Sequence, residues 1–300
     1  MKISFKQGKI VLIFLLPLVL AGGAGVIGAP LSKKIPENFV KSDAVLLYID
    51  FERAPLDYYE KWRIFYDWGD SLYIKEGVNE GRVMIVQDED KNRGKVLRIL
   101  YPEGAFGPKE SGAQWLLKLG ASYEELYCSY WMKVPYGFES IKGGKLPGLA
   151  GGQANTGGIK PNGQDGWSAR AMWQKYFNIR QYVYHAGQKD PFYGDGRPWQ
   201  EEGKDCSPTQ GQWHHLETYI KMNIPGKSDG IIMSWLDGRL VMDEEDFRFR
   251  DIATLGIDSF YFSTFFGGAD ESWAPLKSQF LYFDGFVISS SPVHELIFKK

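Results

Sequence analysis

Short runs of β-branched and aromatic residues, separated by turn residues, recur along the chain after about residue 30 and strongly constrain its fold. Val96–Tyr101, Leu126–Val134 and Gln279–Ile288 are such runs. Asp237-Gly238 lies between two others, and this dipeptide is typical of a two-residue β-hairpin turn. No segment shows the apolar period of a long helix. The pattern predicts an all-β sandwich or jelly roll.

The N-terminus has the pattern of a secretory signal peptide. Lysines precede an apolar run, Ile10–Leu20, and a stretch of small residues that ends at Ala29. We therefore expect residues 1–29 to be removed, the protein to be secreted, and residues 30–300 to form a single domain. The alternative is an uncleaved membrane anchor, because Ile10–Ala29 is about long enough to span a bilayer. If the signal is cleaved, no stable membrane partner is expected.

Charge and composition narrow the classes of partner. The formal net charge of -2 at pH 7 argues against nucleic acid as a binding partner, because proteins that bind nucleic acid usually carry a basic surface patch. Cys128 and Cys206 are the only cysteines, and they are compatible with one disulfide or with two buried thiols. The spacing of the cysteines and histidines matches no zinc motif. We predict no metal and no cofactor, and we expect a monomer.

The segment Lys142–Gly152 holds two lysines and five glycines around Pro147. Glycine tolerates positive φ and lets a ligand approach the backbone, and proline fixes its own φ. We therefore expect a rigid, open loop at this place. Lys145, near its centre, would then present a positive charge to an anion.

Two further segments predict a polar sheet face. Alternation along the strand 168–173 puts Ser168 and Arg170 on one side, and the same rule puts Tyr182 and Tyr184 together on the next strand. If the two strands pair through the short turn between them, all four side chains share a face. Such a face suits a groove for an anionic polymer. The alternative is a solvated face with an extended arginine and amphipathic tyrosines.

The ordered combination of these motifs resembles polysaccharide lyase family 14. The matching residues are Lys145 in Gly-Gly-Lys-Leu-Pro-Gly, Ser168 and Arg170 in Ser-x-Arg, and Tyr182 and Tyr184 in Tyr-x-Tyr. The segments Ser111–Trp115 and Phe262–Gly268 are also similar to the family. The resemblance spans roughly Ser111–Gly268. It implies a β-jelly roll sandwich of two antiparallel sheets, with the active site on one sheet.

The resemblance also implies an activity, the cleavage of a polyuronate such as alginate or glucuronan by β-elimination. Neutralising the uronate carboxylate stabilises an enolate-like intermediate, and Arg170 and Lys145 would supply that charge. Tyr182 and Tyr184 are then candidates for the base and the acid, and Lys145 stays open for either role. The two cations are expected to lower the pKa of the tyrosines.

The predicted catalytic residues are therefore Lys145, Tyr182 and Tyr184. The predicted substrate-binding residues are Ser168, which orients substrate or Arg170, then Arg170 itself and Gln114. The expected partner is an anionic polysaccharide.

Two other functions compete with this interpretation. A jelly-roll glycoside hydrolase of the β-glucanase type needs paired carboxylates in a Glu-x-Asp-x-x-Glu run, and that spacing does not occur in the chain. A non-catalytic carbohydrate-binding jelly-roll protein would keep the aromatic rings, but it has no need for the combination of Lys145, Arg170 and the two tyrosines.

Overall fold

Strands dominate the computed structural model, which describes residues 35–69 and 71–298. The predicted signal peptide, residues 1–29, lies outside the described residues. The strands are β1 (Val45–Ile49), β2 (Asp57–Tyr58), β3 (Leu72–Glu76), β4 (Val83–Gln87), β5 (Lys95–Tyr101), β6 (Ala113–Tyr123), β7 (Glu125–Lys133), β8 (Gly143–Gly152), β9 (Gly166–Gln174), β10 (Ile179–Tyr184), β11 (Asp195–Pro198), β12 (Gln200–Glu201), β13 (Lys204–Asp205), β14 (Trp213–Lys221), β15 (Gly230–Leu236), β16 (Arg239–Phe247), β17 (Ile257–Phe266) and β18 (Gln279–Ser289).

Short helices connect some of these strands. They are α1 (Glu37–Val40), α2 (Lys61–Trp68), α3 (Gly107–Glu110) and α4 (His294–Phe298), with 3₁₀ turns at Lys175–Phe177 and Glu271–Trp273. Across the described ranges, no helix has the length and apolar character needed to cross a membrane.

The strands form two large antiparallel sheets. The nine-stranded sheet has the order β16-β15-β14-β7-β18-β5-β4-β2, with β1 also paired to β18. The seven-stranded sheet has the order β11-β10-β9-β8-β17-β6-β3, and β12 pairs with β13 alone. This architecture confirms the predicted all-β sandwich of two antiparallel sheets.

The core between the sheets is largely aromatic. Phe262 on β17 stacks on Trp115 of β6, with ring centroids 3.7 Å apart. The same ring meets Phe283 and Phe286 of β18 edge-on, at 5.6 and 5.8 Å. All four rings are fully buried, and these are favourable geometries for aromatic pairs. One face of the seven-stranded sheet thus packs on the core, and the opposite face, here called the site face, points away from it.

Several predicted strands and the predicted hairpin are present. The run at 126–134 corresponds to β7, and the run at 279–288 to β18. Asp237 and Gly238 join β15 to β16 with φ values of 52° and 76°. Positive φ at both central residues is the requirement of a type I′ turn, which explains the Asp-Gly pair.

The two cysteines are separate. Cys128 and Cys206 are both buried free thiols. Of the two possibilities that the sequence left open, one disulfide or two buried thiols, the structure has the second. Burial raises the pKa of each thiol. Because the thiolate is the reactive form, both groups are inert.

The predicted glycine-rich loop is wrong, because this segment forms strand β8 between β9 and β17. Its glycines serve close packing. A Cβ at Gly144 would lie 2.1 Å from the ring of Trp173, and a Cβ at Gly148 would lie 2.1 Å from the backbone oxygen of Ala169. Only a residue without a side chain fits at these two positions.

A β-bulge explains how Pro147 is accommodated in this central strand. Lys145 pairs with Met172 and Gly148 pairs with Arg170, so β8 has one more residue than β9 between the two pairs. Proline donates no backbone N–H and is tolerated at such an irregularity. The extra residue also keeps Lys145 in register with Met172, on the same face of the sheet as Arg170.

Candidate active site

The pairing of β9 with β10 brings four predicted residues onto the site face. Arg170 lies opposite Tyr182, and Ser168 lies opposite Tyr184. The 3₁₀ turn Lys175–Phe177 connects the two strands, and the alternate residues of β9 pack into the core. The predicted pairing and the shared face are therefore confirmed.

Arg170 is a buried cation without a carboxylate partner. Arg170 is only 2% exposed, and burial lowers the pKa of its guanidinium. Nη1 donates a hydrogen bond to Ser263 Oγ at 2.8 Å, and the guanidinium lies 5.1 Å from the centre of the Tyr261 ring. In the described part of the chain, Nε has no hydrogen-bond partner and no acidic group pairs with the guanidinium. A buried charge of this kind normally requires a partner.

Lys145 is a second cation beside Arg170. Its ammonium group lies 4.0 Å from the centre of the Tyr182 ring and 3.9 Å from Met172 Sδ. Desolvation, followed by the charge of Arg170, lowers the pKa of Lys145 to about 7. A substantial fraction of Lys145 is therefore a neutral amine near pH 7, and a neutral amine can accept a proton.

The two tyrosine hydroxyls lie side by side. Their oxygens are 3.4 Å apart, and the rings form a T-shaped pair with centroids 5.4 Å apart. Burial and the adjacent Tyr184 hydroxyl raise the pKa of Tyr182. The expected lowering by the nearby cations is therefore wrong for Tyr182, because desolvation outweighs the field of Arg170. Tyr182 keeps its proton near neutrality and suits the role of a proton donor.

Gln114 reaches the site through β17. Its Oε1 accepts hydrogen bonds from the Tyr261 hydroxyl at 2.6 Å and from Ser263 Oγ at 3.3 Å. Ser263 also accepts the bond from Arg170, so a polar chain connects β6, β17 and β9. Sequence reasoning assigned no role to Tyr261 or Ser263. The alternation of residues in β17 could have identified them. Because Phe260 and Phe262 are core residues, Tyr261 and Ser263 must lie on the opposite face of the sheet.

Ser168 has a different contact from the one expected. Its hydroxyl donates to the backbone oxygen of Asn155 at 2.6 Å, and the residue is fully buried. The hydroxyl that holds Arg170 belongs to Ser263. The proposed orientation of Arg170 by Ser168 is therefore wrong, because Ser168 fixes the segment after β8. A contact between Ser168 and substrate stays a prediction.

The segment after β10 contacts the site through Tyr184. Tyr184 donates its hydroxyl hydrogen to the backbone oxygen of Phe192 at 3.3 Å. His185 is buried, pairs with Asp195 at 3.1 Å and packs on Phe247, so its ring is already engaged. Among residues 35–69 and 71–298, no group of His, Cys, Asp and Glu side chains is arranged to hold a metal ion.

Comparison with known protein families shows to which family the chain belongs. The sequence profile of Polysaccharide lyase 14 matches residues 89–286, which include Gln114 and every residue of the Lys145–Tyr184 region. The chain belongs to the polysaccharide lyase 14 family. A search of curated proteins found no match.

Solved structures similar to this polysaccharide lyase 14 protein share its fold. Alginate lyase Aly36B is 24% identical with a TM-score of 0.69, over 81% of this chain and 96% of its own. The marine alginate lyase from Aplysia kurodai is 22% identical with a TM-score of 0.68, over 82% and 99%. The endo-β-1,4-glucuronan lyase from the fungus Trichoderma reesei is 15% identical with a TM-score of 0.52, over 82% and 96%. At these identities the likeness concerns the fold, which is the predicted jelly-roll sandwich.

Proposed function

We propose that this protein is a secreted polysaccharide lyase that cleaves a polyuronate by β-elimination. The observation that carries the proposal is the unpaired guanidinium of Arg170 with the basic group of Lys145 beside it on the site face. Lys145 and Arg170 lie together, and in the described part of the chain neither has a carboxylate partner. A uronate carboxylate would supply the missing countercharge for Arg170, and the two tyrosine hydroxyls lie on the same face of the sheet.

Charge neutralisation is the first requirement of the reaction. The C5 proton of a uronate becomes acidic enough to remove only when the neighbouring carboxylate is neutralised, because negative charge develops on it as the proton leaves. Arg170 suits this task, since no carboxylate in the described part of the chain pairs with its guanidinium, and a guanidinium binds carboxylates in a fork geometry. Ser263 and Gln114 hold the guanidinium in place through their hydrogen bonds.

Two proton transfers complete the elimination. Lys145, with its pKa near 7, takes the C5 proton as a neutral amine. The electrons of the C5–H bond form the C4=C5 double bond, and the C4–O4 bond breaks. Tyr182 then protonates O4, because its raised pKa keeps the hydroxyl protonated. Tyr184 lies within reach of the Tyr182 hydroxyl and assists this step.

Alginate is the principal substrate in this proposal, and glucuronan is the second candidate. Two variants of Aly36B are described in complex with an alginate trisaccharide and an alginate tetrasaccharide, both with TM-scores of 0.70 to this chain. The glucuronan lyase has the lower score of 0.52. These likenesses support alginate as the first polymer to test.

The test is an absorbance assay. The secreted protein is incubated with alginate, with glucuronan and with carboxyl-reduced alginate, and the near-UV absorbance of the new C4=C5 double bond is followed. We expect absorbance to rise with alginate and to stay flat with the carboxyl-reduced polymer, which lacks the group that Arg170 binds. Binding of both polyuronates without any rise would instead identify a non-catalytic carbohydrate-binding protein.

Export is tested separately. N-terminal sequencing of protein recovered from the culture medium should show the loss of about the first 20 to 29 residues. Intact Met1 in the membrane fraction would support the anchor alternative.

A further inference from the structure

A third cation lies on the site face, on the edge strand β3. Lys75 is exposed, and its ammonium group lies 4.7 Å from the centre of the Tyr261 ring and 3.4 Å from the Tyr261 hydroxyl. Arg170 approaches the same ring at 5.1 Å. Tyr261 therefore lies between the buried guanidinium of Arg170 and the ammonium group of Lys75 at the edge of the sheet.

Lys75 forms no ion pair in the described part of the chain. The carboxylates nearest in sequence, Glu76 and Glu80, both act on Arg82, and Glu80 forms its ion pair there. Lys118 on the adjacent strand β6 provides a contrast, because it pairs with Asp258 at 3.0 Å. An unneutralised cation at the edge of a polyanion site attracts the same kind of ligand as the site itself.

The register of the sheet aligns this edge with the active site. One row of directly opposed residues crosses the seven-stranded sheet from β10 to β3: Tyr182, Arg170, Gly148, Tyr261, Leu116 and Tyr73. Tyr73 is 74% exposed, whereas its strand neighbour Leu72 is a core residue. Its ring is therefore available on the site face to pack against the C–H face of a sugar.

We propose that Lys75 and Tyr73 form a second uronate subsite, which binds a sugar unit of the same polymer beyond the one that reacts. Lys75 binds the carboxylate of that unit, and Tyr73 packs on its ring. The charged groups of Lys75 and Arg170 are separated by no more than their two distances to the Tyr261 ring combined. Both cations are therefore within reach of one short stretch of the same polymer. This inference rests on the proposed polyuronate lyase function, and it adds that the polymer crosses the strands towards β3.

The test is a length-dependent kinetic comparison. Lys75→Gln removes the charge, and Lys118→Gln is the matched control, because it removes a lysine on the adjacent strand that Asp258 already neutralises. Rates are measured on polymeric alginate and on alginate oligosaccharides of defined length. For Lys75→Gln we expect KM for the polymer to rise about tenfold with kcat near the wild-type value, as for one lost charge-assisted contact in binding. The effect should disappear on the shortest oligosaccharide that is cleaved.

Tyr73 provides an independent arm of the same test. Tyr73→Ala should raise KM for the polymer in the same direction, whereas Tyr73→Phe keeps the ring and should behave as wild type. An unchanged KM in Lys75→Gln on the polymer would overturn the subsite, and so would an equal rise on substrates of every length. A wild-type protein that cleaves no polyuronate would overturn the proposed function, and this inference with it. An active wild type with an unaffected Lys75→Gln variant would overturn the subsite alone.

Discussion

Desolvation sets the chemistry of the individual residues in this site. Burial is the main cause both of the lowered pKa of Lys145 and of the raised pKa of Tyr182. The two shifts have opposite chemical consequences. A lysine that loses its proton near neutrality becomes a base, and a tyrosine that retains its proton becomes an acid.

The role of Lys145 predicts a pH dependence. Only the neutral amine accepts the C5 proton, so kcat/KM should rise as pH increases through about 7, where Lys145 loses its proton. Lys145→Arg keeps a cation that stays protonated over this range and should be at least about 10²-fold less active at every pH. Lys118→Gln should retain the wild-type profile. A wild-type kcat/KM that is flat across neutral pH would exclude Lys145 as the base.

The role of Tyr182 predicts a loss of activity without a loss of stability. Tyr182→Phe keeps the ring that contacts Lys145 and removes only the proton that is donated to O4. We expect kcat to fall by about 10²-fold, with a melting temperature near that of the wild type. Steady-state kinetics and thermal unfolding measure the two quantities. Near-normal kcat in this variant would move the acid role to Tyr184.

Local sequence predicted part of this residue-level arrangement. The shared face of Arg170 and Tyr182 followed from the two-residue period of adjacent strands. The hydrogen bond from Arg170 to Ser263 did not, because the partners are 93 residues apart in the chain. The pKa direction of Tyr182 was also missed, since burial depends on elements that local sequence does not bring together.

At the scale of elements, strand β8 shows how packing overrides composition. Glycine and proline are depleted in strands, so Gly143–Gly152 resembled a loop. Neighbouring strands supply the missing information, because the ring of Trp173 on β9 occupies the space that a side chain at Gly144 would need. Without the pairing of β8 and β9, the sequence offers no means of distinguishing a packing glycine from a turn glycine.

A substitution at Gly148 tests whether the position of β8 determines the position of Lys145 in the site. In Gly148→Ala the new Cβ would lie 2.1 Å from the backbone oxygen of Ala169, so β8 must move away from β9 and carry Lys145 with it. We expect the free energy of unfolding to fall by roughly 1–3 kcal/mol, together with a loss of activity. Urea unfolding measures the first quantity.

Gly267→Ala is the matched control for stability. Its Cβ would meet no atom closer than 3.5 Å, an ordinary contact distance. Equal unfolding free energies for the two alanine variants would show that the close approach at Gly148 does not constrain β8.

At the scale of the whole molecule, the two sheets have separate tasks. The seven-stranded sheet carries the candidate site, and the nine-stranded sheet anchors the C-terminal helix. Glu217 on β14 is 1% exposed, and its carboxylate accepts the backbone N–H groups of Val293 and His294 at 2.9 and 2.6 Å. A negative charge at the first turn of α4 is also favourable for the helix dipole.

This separation predicts a stability change without a catalytic change. Glu217→Ala removes the acceptor of two N–H groups, of which that of Val293 is buried, so we expect the free energy of unfolding to fall by roughly 2–3 kcal/mol. The kcat/KM of the folded variant should stay at the wild-type value, because the substitution lies on the other sheet. Denaturant unfolding and steady-state kinetics on alginate test this together. A large fall in kcat/KM at full folding would show that the sheets are coupled.

The sandwich was predictable at this scale, and the order of its strands was not. Turn residues between short apolar runs indicated many antiparallel strands. Yet β18, near the C-terminal end, pairs with β7, β5 and β1. Such long-range pairing depends on which strand faces pack together in the core. The sequence of one strand does not identify the strand with which it pairs. The single domain over 30–300 and the signal peptide stay predictions.

The mass of the products shows most directly whether this protein cleaves its substrate by elimination. Elimination leaves an unsaturated uronate at each new non-reducing end, one water lighter than the product of hydrolysis. We predict that the wild type converts alginate to such unsaturated oligosaccharides, and that Lys145→Ala and Arg170→Ala, both folded, form them at least about 10²-fold more slowly. Saturated ends from the wild type would contradict elimination, and undiminished unsaturated product from Lys145→Ala would contradict the role of Lys145.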